Sequence, residues 1–344
     1  MKFVGSRSIN QDRLAELRDS GHDSVVLLAR LAFNEHEGTR KDLAKMVKLE
    51  RAYPEVLPTQ ASGRWSTKKP NLGGFTRDFW RQHYRVIKPD PGWWWLEWDW
   101  LGIECRMFVA YTGDDEDVAW LIGQNLPAGT SEIHGATCLK YLFAWDALPA
   151  DWQGSKDERR TRAKNFRYGV GQYGLDERAV LGMPGIEKLG LDRTVLLARA
   201  RAFLHARPKA QAWKQQIWAE CTRSSFGPGV GIARTFMGRR RMLFGDEDAR
   251  KKDGLNHMIQ GSVADLMDWS LGRLLNRELP EAYLVLNKHD GAILSIPESR
   301  GQDDTFARCR AVVEREWEVG QGVRMSFPAS WTLYTPDGER RELG

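Results

Sequence analysis

With 344 residues, 42% of them hydrophobic, the chain can bury a large core as one multi-lobed unit or as two domains. A net charge of +5 and a pI near 9.0 favour polyanionic partners. Cys105, Cys138, Cys221 and Cys309 are scattered without a Cys-x-x-Cys pair, which argues against a zinc site or disulfide framework. With no signal-like segment and no long uncharged apolar run, the expected protein is cytoplasmic, with no membrane contact.

In chain order, residues 1–50 carry Leu14, Leu17, Val25, Leu28, Leu31 and Phe33 at loosely helical spacing, and nothing there carries chemistry. The stretch from Thr59 to Leu72 is rich in turn formers and cations, Arg64 among them, and reads as a surface loop before it reads as a nucleic-acid contact. A short basic helix is expected over 75–91, closing in a Pro-Asp-Pro-Gly turn that launches a strand at Trp93. That strand ends on Asp99. The pattern then turns helical, with Ile103, Met107, Phe108 and Val109 apolar and Glu104 close to the acid. The charges from Gly113 to Asp117 read as a solvated helix cap, and His134 opens a further helix.

Arg160, Lys164 and Tyr168 recur every four residues, so a helix aligns them on one face. Two cations and an aromatic ring beside glycines suit a triphosphate and a stacked base, although charge runs are more often solvated faces. Residues 194–222 read as two amphipathic helices broken at Pro208. The run from Gly229 ends in a turn with Arg239, Arg240 and Arg241, which reads as a patch for a phosphate backbone. Asn256 and Gln260 lie on a helix whose buried side is Ile259, Val263, Leu266 and Leu274. Two apolar runs, Leu284 to Leu286 and Ala292 to Ile296, flank Lys288-His289-Asp290-Gly291 and predict a β-hairpin with Asp-Gly at its turn, where glycine tolerates positive φ. Asp99 and Asp290, each at a strand end and far apart in sequence, suit a pair of carboxylates sharing two divalent ions.

These segments together resemble the polymerase domain of family A DNA polymerases, in the family's order from about Leu57 onward. Thr59 to Leu72 resembles its T-x-T-G-R…P-N-L-Q segment; Asp99 to Arg106, its D-Y-S-Q-I-E-L-R motif; and Ile133-His134-Gly-Ala-Thr137, its I-H-x-x-T segment. Arg160, Lys164, Tyr168 and Gly169 are similar to its R-x3-K-x3-[FY]-G helix. Gly238 to Arg241 matches a G-R-R-R turn, Asn256 to Asp265 the N-x3-Q-G-x-x-A-D pattern, and Lys288 to Gly291 the V-H-D-E hairpin.

The resemblance implies an α+β right-hand fold: an antiparallel palm sheet, a helical fingers insertion and a reduced N-terminal thumb. The expected divisions are 1–56 for the thumb remnant, 57–123 and 221–344 for the palm, and 124–220 for the fingers. It implies a DNA polymerase adding dNTPs to a primer 3′-hydroxyl on primer-template DNA, without a 3′-5′ exonuclease. Asp99 and Asp290 would bind two Mg2+ ions, with Mn2+ as a substitute. Glu104, His134, Arg160, Lys164 and Tyr168 would meet the dNTP, and Lys164 would assist the leaving group. Arg64, Arg239, Arg240, Arg241, Asn256, Gln260 and His289 would contact DNA. So short a thumb implies distributive synthesis or a partner protein that completes the hand, in a bacterial or phage-infected cell.

The chain departs from the pattern at five places. Gly291 stands where the family has an acid, Lys288 and Gly73 replace an apolar residue and an amide, and few residues precede Thr59. Tyr173 lies one position later than the family's second tyrosine, so either Gln172 takes its place or the helix bulges. Two rival readings are a single-subunit RNA polymerase or reverse transcriptase, and a weak or silent DNA-binding subunit. Glu104 opposes the RNA polymerase, because a carboxylate there would collide with a ribose 2′-hydroxyl.

Overall fold

The computed structural model describes residues 55–57, 60, 62–68, 88–223, 229–288, 290–320 and 323–343. Among them, residues 55–57 and 65–68 belong to one compact unit, and 60, 62–64 and everything from 88 onward belong to another. The readings placed on residues 1–50, on Thr59, on 70–73, on most of the basic helix before Lys88 and on His289 lie outside the described residues. In the first unit, β1 (Glu55–Leu57) and β2 (Ser66–Lys68) form an antiparallel ribbon with Val56 opposite Thr67.

The second unit is organised on β3 (Trp93–Trp100), whose apolar run is buried along nearly its whole length. A strand covered on both faces cannot alternate apolar and polar residues, which is why four of its eight positions are buried tryptophans: Trp94, Trp95, Trp98 and Trp100. The chain then runs through α1 (Ile103–Thr112), α2 (Asp115–Leu121), α3 (Ile133–Thr137), α4 (Glu158–Phe166), α5 (Arg193–His205) and α6 (Pro208–Thr222). Pro208 occupies the first turn of α6, where its missing N–H costs nothing, so the expected break falls between two helices. The ribbon of β4 (Val230–Arg234) and β5 (Arg240–Phe244) leads into α7 (Glu247–Asn256) and α8 (Ser262–Arg273), joined by a π-helical turn over His257–Gly261. Then come β6 (Tyr283–Asn287), β7 (Gly291–Pro297), α9 (Gln302–Val313), the ribbon of β8 (Glu316–Gly320) with β9 (Val323–Ser326), and finally β10 (Ala329–Tyr334) and β11 (Arg340–Leu343).

Five strands form one antiparallel sheet in the order β11, β10, β3, β7, β6. Helices around an antiparallel sheet give the α+β class expected from the sequence. One hydrophobic cluster joins Trp94, Trp98 and Trp100 of β3 to Trp331 and Leu333 of β10, to Ile259 of the π-helical turn and to Val263 and Leu266 of α8. A second cluster lies in the helical segment, around Ile133, Phe166, Val170 and Phe203.

The sheet also explains Lys288. Glu97 is the one acid within the buried part of β3, and it accepts from the Lys288 ammonium and the Tyr334 hydroxyl. A cation replaces an apolar residue at 288 because a buried carboxylate needs its partner.

Candidate active site

The sheet register brings the two aspartates together. Asp99 lies opposite Gly291, so the acid at the end of β3 meets the residue next to Asp290. The Trp100 amide donates to the Asp290 carbonyl at 2.8 Å and pins the hairpin end to the end of β3. Gly291 is not the positive-φ turn residue expected from its sequence; it is the first residue of β7 and lies outside the left-handed region. Its role is close approach: a Cβ there would sit 2.1 Å from the Trp98 carbonyl oxygen and 3.0 Å from the Asp99 Cα.

Asp290 is exposed and Asp99 half-buried. The donor set is hard carboxylate oxygen, and no group of three or more His, Cys, Asp or Glu among the described residues could cage a metal by protein alone. That set fits magnesium, which binds through one or two carboxylates and completes its shell with water and substrate phosphates.

Glu104 sits in the first turn of α1, entered through Gly102 in the left-handed region with φ 62°. Its carboxylate is held from two sides. The Arg64 guanidinium donates to one oxygen, and the Tyr173 hydroxyl donates to the other at 2.7 Å. Gln172 also reaches the Glu104 backbone carbonyl, at 3.4 Å. The extra residue before Tyr173 is accommodated by a bulge: Arg167–Gln172 is π-helical, and the Tyr173 amide donates to the Tyr168 carbonyl at 3.0 Å, five residues back. The tyrosine rings stack with centroids 6.5 Å apart at 22°. Of the two alternatives left open by the sequence, the helix bulges, and Gln172 is buried.

The face of α4 carries Arg160 and Lys164 towards Tyr168. The Arg160 guanidinium pairs with Glu132 at 3.0 and 3.2 Å, and Lys164 Nζ lies 5.7 Å from the Tyr168 ring centroid. Glu132 also caps α3, accepting from the amides of His134 and Gly135. His134 is buried with its ring 6.0 Å from that of Tyr168, and its Nδ1 has no hydrogen-bond partner. Burial, and then the charges of Arg167, Arg160 and Lys164, hold its pKa well below the usual value, so the imidazole is neutral at pH 7. Burial also raises the Tyr168 phenol, and Glu104 and Asp290 are among the charges that add to the shift, so both acids lie within electrostatic range of this ring.

Behind this face lies a buried charge cluster that the sequence did not disclose. Asp117 pairs with Arg167 at 2.5 Å and with Arg207 at 2.8 Å, and all three are essentially inaccessible to water. Burial opposes ionisation of Asp117, but the two guanidiniums outweigh it and hold the carboxyl at about 2. Asp114 is also buried, accepting from the Ala210 amide at 2.7 Å. The expected solvated cap at 113–117 is therefore largely interior structure.

The arginine turn is more committed than its sequence implies. Arg239 pairs with Asp265 at 2.5 Å and Asp268 at 2.7 Å, and Arg241 pairs with Asp253 at 2.8 Å. Arg240 is exposed. Asn256, at the end of α7, and Gln260, in the π-helical turn that follows, are both half-buried.

Known proteins resemble the chain over most of its length. DNA polymerase I, thermostable, from Thermus filiformis is 27% identical over 341 residues, covering 93% of this chain and 38% of that protein. DNA polymerase I from Chloroflexus aurantiacus is 28% identical over 295 residues, covering 80% of this chain and 28% of that one. The chain thus spans well under half the length of these relatives. Among solved structures, the polymerase domain of Pol1 from M. smegmatis, in complex with DNA primer-template and dNTP, superposes with a TM-score of 0.71 at 19% identity. That match covers 94% of this chain and 55% of the other, and at this identity it is a likeness of fold. Residues 2–332 match the model of DNA polymerase family A, and the chain belongs to that family.

Proposed function

We propose that the chain is a template-directed DNA polymerase that joins a dNTP to a primer 3′-hydroxyl. The observation that carries this reading is the pairing of Asp99 with Gly291, which brings Asp99 and Asp290 to neighbouring strand ends of one sheet, with Asp290 in electrostatic range of Tyr168. Asp99 and Asp290 would hold two magnesium ions, with manganese as a substitute. Such ions, when bound, lower the pKa of the attacking hydroxyl and neutralise charge on the departing pyrophosphate.

The remaining steps belong to the chain's own side chains. Arg160 and Lys164 bind the triphosphate, Arg160 first exchanging Glu132 for phosphate oxygens, and Lys164 carries the proton that would reach the leaving group. His134, neutral and with Nδ1 unpartnered, offers a ring nitrogen to the same ligand. Tyr168 faces the sugar and base, and Tyr173 stacks behind it. Arg64, Asn256, Gln260, His289 and the arginine turn are assigned to the duplex. Primer extension with magnesium and each dNTP tests the reading, and template-independent addition or no addition would overturn it. The rival is a DNA-binding subunit without catalysis, which would bind primer-template with normal affinity and extend nothing.

Sugar choice is assigned to Glu104, whose carboxylate is fixed by Arg64 and Tyr173. Glu104→Ala should admit ribonucleotides, and an unchanged dNTP/rNTP ratio of kcat/KM would remove the assignment. The Tyr168 hydroxyl can stand in for a missing 3′-hydroxyl contact, so Tyr168→Phe should lower acceptance of 2′,3′-dideoxynucleotides. Equal chain termination by both enzymes would sink that second claim.

Synthesis is proposed to be distributive, or assisted by a partner protein. Arg64, Arg239 and Arg241 are each engaged with acids, so gripping phosphate means exchanging one partner for another, with less net gain per contact. In primer extension with an unlabelled DNA trap, the chain should add one or a few nucleotides per encounter, and fewer as salt rises. Products hundreds of nucleotides long and insensitive to salt would refute this.

A further inference from the structure

We infer that Lys214 is a positioning residue for sugar discrimination, acting through the bulged helix that presents Tyr173 to Glu104; the inference rests on the reading of Glu104 given above.

Lys214 lies on α6 and is almost wholly inaccessible, 1% exposed. A lysine is hardly ever buried to this degree unless its ammonium is satisfied. Here Nζ donates to the Gly171 carbonyl at 3.0 Å and to the Gly174 carbonyl at 2.5 Å. These two carbonyls bracket Gln172 and Tyr173, the residues that reach Glu104 through its backbone carbonyl and its carboxylate. The ammonium therefore clamps the two ends of the segment that carries the gate's supports. The π-helical turn ends here, where backbone carbonyls have lost their helical partners, and a lysine from a neighbouring helix is a suitable cap for them.

The clamp does not merely fill space. The bulge is already packed: a Cβ on Gly171 would sit 2.8 Å from the Phe203 ring, and one on Gly174 would sit 2.5 Å from the Gly169 carbonyl oxygen. Burial lowers the Lys214 ammonium to about 7, with Asp176 acting in the other direction. Protonated or neutral, the amine keeps N–H donors for both carbonyls, so its two contacts can fix the turn in either state. The chain of contact is continuous: Lys214 holds Gly171 and Gly174, the segment between them holds Tyr173, and Tyr173 with Arg64 holds the Glu104 carboxylate.

The test compares dNTP and rNTP incorporation in the parent, Lys214→Met, Glu104→Ala and the double variant, by single-turnover kcat/KM. Met keeps the length of the aliphatic chain and removes the donors. Lys214→Met should lower the dNTP/rNTP ratio by about tenfold, chiefly by improving rNTP use. In the double variant the ratio should match that of Glu104→Ala alone, since the clamp has nothing left to position. A merely structural lysine would shift Tm and depress both substrates equally, leaving the ratio unchanged, and that result overturns the inference. If Lys214→Met does not fold, Lys214→Gln, which retains one amide donor, should show a smaller change of the same sign, and no change overturns the inference equally. Failure of Glu104→Ala to alter the ratio would instead remove the underlying reading of the gate, so the two failures are distinguishable.

Discussion

Asp99→Ala and Asp290→Ala should each reduce single-turnover incorporation by about 10³-fold or more, while leaving the fold and primer-template binding largely intact. Asp99 lies in β3 and Asp290 directly precedes β7, and a backbone hydrogen bond from the Trp100 amide to the Asp290 carbonyl holds the two strand ends together. Asp290 is exposed, and removing its carboxylate leaves no buried group unpaired there. Stability should therefore move little, and thermal melting of the variants beside the parent checks this. Near-normal incorporation by either variant would remove the pair as the centre of the reaction. A chain that binds duplex with unchanged affinity but shows no incorporation even in the parent would favour the silent DNA-binding subunit.

What the sequence disclosed and what it hid divide along the range of the interactions. Asp99, Asp290 and the aligned Arg160, Lys164 and Tyr168 are legible because each rests on a local pattern: a strand ending on an acid, or a four-residue recurrence on a helix. The meeting of the two aspartates needed only that both strands join one sheet. By contrast, Asp117 looked like part of a solvated charge run because Arg207 lies 90 residues away. Likewise Lys288 looked out of place because Glu97 lies 191 residues away.

Lys214 gave no signal either. A lone cation in an amphipathic helix usually faces water, and only the packing of α6 against the bulge shows otherwise. The bulge itself was half legible. The shifted spacing of Tyr173 showed that something had to give, but whether Gln172 or the helix would yield depended on tertiary contacts. At Gly291, Asp-Gly is a strong turn signal, and it misled because glycine serves two needs, positive φ and close approach, that look identical in a sequence.

That second need makes the consequence of restoring an acid at position 291 unfavourable. By analogy with the family's pattern, Gly291→Glu would supply an auxiliary carboxylate and raise activity. The local geometry predicts the opposite. The first carbon of any side chain at 291 would lie 2.1 Å from the Trp98 carbonyl oxygen, and the obstacle is backbone in the central strand, which has no rotamer to turn aside. To admit it, β7 must move away from β3 at the point where Asp99 faces residue 291, separating the two aspartates. Gly291→Ala isolates this steric cost and should destabilise the fold by about 3 kcal/mol, at the upper end for overpacking because a backbone must shift. Incorporation should fall at least about tenfold in both Gly291→Ala and Gly291→Glu, since misplacement of reacting groups by about 1 Å is costly. Thermal melting and single-turnover incorporation of the two variants check this together. If Gly291→Glu were as stable as the parent and more active, the close approach of β7 to β3 would not be a requirement of the site, and the missing acid would be a simple loss.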